Sequence, residues 1–158
     1  MSNRLDNIVT RGGDKGETSL ADGTRLPKDD PRIALIGDVD ELNSWLGVVI
    51  ANGAEGLLHE MLSDCQHDLF DLGGALSFPD SPLLSEGHVA RLDGAAAKLN
   101  EGLAPLKEFI LPGGAKEVAF CHVARTVCRR TERAMSAFLR AAPEAAHALQ
   151  YLNRLSDI

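Results

Sequence analysis

Residues 120–138 read F-C-H-V-A-R-T-V-C-R-R-T-E-R-A-M-S-A-F, and their spacing decides the fold. At about 100° per residue, Phe120, Val127, Ala134 and Phe138 share one face of a helix, while Arg125, Arg129 and Arg133 share the opposite one. Glu132 stands beside the arginines and Arg130 a little way round. Arginines four apart repel by ~0.2–0.5 kcal/mol per pair in an isolated helix, and one glutamate does not balance them. The row is either a solvated outer face or an anion site. Solvated faces usually alternate in sign, and forked guanidinium donors suit polyphosphate, so the anion site is the sharper reading.

Working outward, this helix is predicted over about Lys116–Ala141, after the break Phe109-Ile110-Leu111-Pro112-Gly113-Gly114. Pro143 fits the first turn of a fifth helix through Ala146, Leu149, Leu152 and Leu155. The apolar period is still running at Ile158 with no terminator, so the last helix reads as cut short. Upstream, Asp38 with Glu41 three residues on resembles a capping box, followed by Leu42, Trp45, Leu46, Val49 and Ile50 at helical spacing. Gly53 and Gly56 close that helix. A second is predicted over about Leu57–Ala75, running into a breaker-rich loop over Gly73–Pro82, and a third from a Ser85 cap through Leu99. Residues 1–37 read as an ordered arm without strand alternation. The expectation is an all-α bundle over 38–158 with an N-terminal arm, one domain in all.

The 158 residues carry a formal charge of -7, which argues against a general nucleic-acid binder and makes the arginine row a local site. Cys65, Cys121 and Cys128 show neither a redox pair nor zinc spacing; Cys121 and Cys128 read as small core residues in a reducing cytosol. The chain shows no membrane-length apolar run and no leader-like start, so a soluble cytoplasmic protein is expected. His59, His67, His88, His122 and His147 lack metal-ligand spacing; His122, near the arginine row, reads as a surface residue or a phosphate contact.

Three further constellations carry chemistry. Thr10-Arg11-Gly12-Gly13-Asp14-Lys15-Gly16-Glu17-Thr18-Ser19 is either an ordinary turn or a loop whose backbone N–H groups and cations cradle an anion; Walker A spacing is absent. Asn153 and Arg154 fall between Leu149, Leu152 and Leu155 and either face a neighbouring helix or form a surface pair. Asp40 lies off the apolar stripe of the first helix, as a solvated carboxylate or an arginine's partner. No catalytic triad or acid–base carboxylate pair stands out, so an enzyme of this sequence would assist a good leaving group while its substrates supply the nucleophile.

Together, T-R-G-G-D-K-G-E-T-S-L, F-I-L-P-G-G with H-V-A-R-T-V-C-R-R-T-E-R, and Y-L-N-R-L-S-D resemble the PduO-type ATP:cob(I)alamin adenosyltransferases, as does G-D-V-D-E-L-N-S-W-L-G. The resemblance implies a homotrimer of ferritin-like, up-and-down five-helix bundles with active sites at subunit interfaces. It implies transfer of the 5′-deoxyadenosyl group of ATP to cobalt, with tripolyphosphate released and Mg2+ on the phosphates rather than on protein side chains. A non-catalytic ATP or adenosylcobalamin carrier or sensor of the same fold is the alternative, and a helical protein docking an acidic partner a third reading. Hand-off to an adenosylcobalamin-dependent client enzyme is a further possibility of the family.

Residue by residue, the resemblance makes Thr10 to Thr18, with Ser19, an ATP-binding arm whose Lys15 points toward phosphates. Lys28 looks like a nearby ATP-contacting lysine. Arg129, Arg130, Glu132 and Arg133 match the helix that grips ATP, and Asn153 an asparagine near the nucleotide. Arg125 and Asp40 resemble a charge pair between neighbouring subunits. Phe109 looks like the aromatic that sits under the corrin and keeps the lower axial ligand off cobalt. Gly12 departs from the pattern, standing where a larger residue is common.

Overall fold

The first helix starts earlier than its sequence pattern predicts. The computed structural model describes residue 9 and residues 11–78, 81–105, 107–108 and 110–158. In it α1 runs Pro31–Ala51, with Asp30 as N-cap accepting from the Arg32 N–H at 2.8 Å and Pro31 in the first turn. Leu35, fully buried, extends the inner stripe of Val39, Leu42, Leu46 and Val49 back by one turn, which is why the helix does not wait for Asp38. Asp38 and Glu41, expected to cap, turn instead toward α4.

The remaining helices follow as α2 (Gly56–Ser77), α3 (Glu86–Asn100), α4 (Lys116–Leu139) and α5 (Ala146–Leu155), the last entered by a 3-10 turn at Pro143–Ala145. Helix α2 continues through Gly73 and Gly74, where a loop was expected, because Leu72 and Leu76 both belong to its buried stripe. Ser85 precedes α3 as predicted, its backbone N–H donating to His88 Nδ1 at 3.1 Å.

Helix α1 lies between α2 and α4, and α5 packs on α4 and α3. Asn43 and Gln66 tie α1 to α2 by reciprocal bonds, Asn43 Nδ2 donating to the Gln66 carbonyl at 3.2 Å and Gln66 Nε2 to the Asn43 carbonyl at 3.0 Å. Helix α4 runs antiparallel to α1: Trp45 meets Phe120 at 6.3 Å between ring centroids, and Thr131 Oγ1 donates to the Asp38 carbonyl at 3.1 Å. Each fully buried leucine of this interior, such as Leu42, Leu69, Leu72 and Leu152, contributes roughly 1.5–3 kcal/mol. A buried polar knot adds direction. Asp68 of α2 accepts from Tyr151 of α5 at 2.8 Å and pairs with Arg91 of α3.

The arm contains a hairpin, against the expectation of no strands. Strands β1 (Glu17–Ser19) and β2 (Arg25–Pro27) pair antiparallel, Thr18 opposite Leu26. At the tip Asp22 accepts from the Thr24 N–H and hydroxyl, both at 2.8 Å, and Gly23 takes φ 91°. Buried Leu20 and the Ala21 N–H, which donates to the Ser77 carbonyl at 2.9 Å, dock the hairpin on the end of α2. Among the described residues no helix is long and apolar enough to cross a membrane.

Candidate active site

Helices α4 and α5 run antiparallel, and between them opens a cleft of about 420 Å3. Arg129, Glu132, Arg133 and Ser136 reach it from successive turns of α4, Gln150, Asn153 and Arg154 from α5. Asn153 Nδ2 donates to Glu132 Oε1 at 3.0 Å, while its Oδ1 accepts from Arg154 Nη1 at 3.0 Å. The amide is thereby locked, and Arg154 is itself held by Asp93 of α3 at 3.0 Å. Asn153 thus faces a neighbouring helix, the first of its two sequence readings.

The cations of the cleft are incompletely matched. Arg129 donates to the Ser156 hydroxyl at 3.2 Å and, among the described residues, has only Asp157, at 3.9 Å, as an ion-pair partner. Arg133 donates to the Arg129 carbonyl at 3.0 Å and has no ion-pair partner among the described residues. With Glu132 engaged by Asn153, the cleft retains guanidinium N–H groups without an acceptor among the described residues, a donor set suited to an anion.

Arg130 is not part of this group. It ion-pairs with Asp38 at 3.3 Å, outside hydrogen-bonding geometry, and donates to Glu41, pinning α4 to α1. Arg130 therefore finds its counter-charges on another helix, where one-helix arithmetic could not place them. Arg125 is separate too. It is exposed at a largely apolar cavity of about 180 Å3 that His122 also lines, and it lacks an ion-pair partner among the described residues. Asp40 is likewise exposed and without an ion-pair partner among the described residues, beside Phe70 in a groove between α1 and α2. Cys121 is exposed, a correction to its core reading, whereas Cys128 is buried and burial pushes its thiol up to about 12.

In the arm, Arg25 gathers the loop by donating to the Gly12 carbonyl at 3.0 Å and the Ser19 hydroxyl at 3.2 Å, and it pairs with Glu17 at 3.3 Å. The Lys28 N–H donates to the Gly16 carbonyl at 2.9 Å, and its ammonium lies so near Gly13 that a Cβ there would come within 3.0 Å of Nζ. Lys28 is exposed and its side chain can move aside, so the contact places the ammonium over the turn without requiring glycine at 13. Gly16 needs its φ of 82°, and Arg11 adopts a left-handed φ of 56°. Arg11, Asp14, Lys15 and Thr18 lie in this exposed turn and first strand, and neither Lys15 nor Lys28 has an ion-pair partner among the described residues. Thr10 and Phe109 lie outside the described residues.

Sequence reasoning missed Ser156, Gln150 and Ser136 at the cleft and Arg25 in the arm. Ser156 stood inside the Y-L-N-R-L-S-D stretch, and only the packing of α5 on α4 reveals its partner. Among the described residues no group of three His, Cys, Asp or Glu side chains gathers as metal ligands.

Fold and cleft together define a helical bundle with a cationic cleft between two of its helices. The family model for cobalamin adenosyltransferases matches residues 8–158. The chain belongs to that family. It is 49% identical to a cobalamin adenosyltransferase of Cupriavidus metallidurans over 100% of this chain and 86% of that protein. It is 42% identical to a corrinoid adenosyltransferase of Mycobacterium tuberculosis over 100% of this chain and 87% of that protein. A variant PduO-type ATP:corrinoid adenosyltransferase from Lactobacillus reuteri, complexed with cobalamin and ATP, superposes with a TM-score of 0.86. It shares 35% identity over 95% of this chain and 87% of that one.

Proposed function

We infer that this chain is an ATP:corrinoid adenosyltransferase, joining C5′ of ATP to the cobalt of cob(I)alamin and releasing tripolyphosphate. The carrying observation is the α4–α5 cleft, where Arg129 and Arg133 stand undercompensated beside the locked Glu132–Asn153 pair. In the reaction the cobalt electron pair forms the Co–C bond as the C5′–O bond breaks, and the leaving oxygen keeps that bond's electrons. No proton moves, which accounts for a site without a general base. The protein's tasks are to orient ATP and to stabilise charge accumulating on the triphosphate, the work of Arg129 and Arg133. The named activity of the relatives supports catalysis over a carrier, which would need the same cations to hold ATP.

The cleft offers one carboxylate, Glu132, already engaged, and among the described residues no group of carboxylates gathers to cage magnesium. Magnesium would ride on phosphate oxygens and offset their charge. The arm, with Lys15, Lys28 and its glycine turn, would close over the phosphates of a neighbouring subunit's ATP in a homotrimer. Unpaired Asp40 and Arg125 support that assembly as mutual partners across the interface. Phe109 would lie under the corrin, keeping the lower ligand off cobalt and easing reduction to Co(I). Arg130 serves by fixing α4 on α1. A cytoplasmic setting and delivery to a client enzyme complete the proposal.

The test is Arg129→Ala, which is expected to lose ~10²-fold or more in kcat, the scale of one strong electrostatic donor. A variant turning over within a few-fold of the parent protein would remove Arg129 from catalysis.

A further inference from the structure

Ser156 is a buried hydroxyl, 2% exposed, at the C-terminal end of α5. Its Oγ donates to the Asn153 carbonyl at 2.9 Å, the local back-bond that a serine makes to the preceding turn of its own helix. With the proton committed there, the oxygen lone pairs face α4, where Arg129 Nη1 donates to them at 3.2 Å. The Ser156 N–H donates in turn to the Leu152 carbonyl at 3.0 Å, which also accepts from the Cys128 thiol at 3.3 Å. Backbone and side chain of Ser156 are therefore both fixed, and α5 is stapled to α4 on either side of it.

We propose that Ser156 is a positioning residue that sets the fork of Arg129 toward the triphosphate. The proposal deepens the adenosyltransferase reading and rests on the role given there to Arg129. Arg129 needs such a device. Its side chain is 48% exposed, and a free arginine samples many rotamers. Asp157 cannot serve: at 3.9 Å and 64% exposed it is a solvated carboxylate that an arriving triphosphate outcompetes. Ser156 is neutral, so it holds one N–H without opposing the incoming anion, and it leaves the remaining guanidinium N–H groups to the cleft. The same oxygen accepts from Arg129 and donates to Asn153's backbone, so the residues from the two helices are set against each other by one atom. A site whose leaving-group contact acts only in the transition state depends on that donor being aimed beforehand.

The experiment is a double-mutant cycle on the full chain, with ATP and chemically reduced cob(I)alamin at saturation. Ser156→Ala is expected to lower kcat about tenfold, with KM for cobalamin within about twofold of the parent. In the Arg129→Ala background the same change should lower kcat no further, and Ser156→Thr, which keeps the oxygen, should recover most of the loss. If Ser156→Ala loses its cooperative melting transition, Ser156→Cys, close in size but a weak acceptor, replaces it in the cycle with the same expectation. Losses that multiply in the double variant, or an unchanged kcat for the single one, overturn the proposal. An Arg129→Ala protein as fast as the parent removes the role of Arg129 itself and the positioning role with it. Multiplying losses, by contrast, leave Arg129 intact and sink Ser156 alone.

Discussion

Tyr151→Phe removes one oxygen from the interior, and its cost can be worked from the surroundings. Tyr151 is fully buried, and its hydroxyl donates to Asp68 Oδ2 at 2.8 Å. Burial, then the neighbouring Cys65 and Asp68, push the phenol well above its ordinary pKa, so it remains a donor at any pH the fold survives. A hydrogen bond to a charged group is worth ~1.5–3 kcal/mol. Asp68 is 8% exposed but keeps Arg91 and has His88 Nε2 at 3.8 Å, so truncation does not strand its charge. The lower part of the range applies, ~1.5–2 kcal/mol, or about 3–8 °C in Tm at ~2–4 °C per kcal/mol for a chain of this size. Urea denaturation followed by circular dichroism, at one fixed protein concentration because association shifts apparent stability, measures it. A loss below ~0.5 kcal/mol, the size of an ordinary surface change, would refute the claim that this bond ties α5 to α2.

Arg130→Gln should cost only ~0.5–1 kcal/mol, since both ends of its ion pairs are partly exposed, and keep kcat within a few-fold; a large loss of kcat would return Arg130 to the nucleotide site. Asp40→Asn should weaken the trimer in sedimentation, and exchanging the charges with Asp40→Arg and Arg125→Asp should restore part of it; a fully trimeric, active Asp40→Asn protein counts against the pairing. Thiol labelling at pH 8 should find Cys121 fast and Cys65 and Cys128 slow until denaturation, because burial pushes the last two up to about 11 and about 12. A fast thiol persisting in Cys121→Ser would contradict that.

The helices were legible wherever an apolar stripe ran long enough to set a period. Phe120, Val127 and Phe138 located α4, and Ser85 located the start of α3. The start of α1 is hidden in sequence because Gly37 and the acidic stretch Asp38–Glu41 look like a boundary, while the apolar run Ile33-Ala34-Leu35-Ile36 upstream, which holds buried Leu35, is too short to set a helical period. Strands of three residues leave no room for alternation to show, so the hairpin was invisible. At the site, Arg129, Glu132, Arg133 and Asn153 could be named from motifs, and the fold brings them together. Arg130 sits one residue, about 100°, round the helix from Arg129, and which neighbour waits there is a tertiary fact. Ser156 shows the same limit: its hydroxyl is plain in the sequence, but its partner is fixed by how α5 lies on α4.

The central claim is the chemistry, and following cob(I)alamin absorbance anaerobically with ATP tests it most directly, with the products separated and counted. The account predicts loss of the Co(I) band only when protein and ATP are both present, yielding adenosylcobalamin and tripolyphosphate in equal amounts. Adenosylcobalamin absent while ATP still binds, or phosphate and diphosphate released in place of tripolyphosphate, would contradict it.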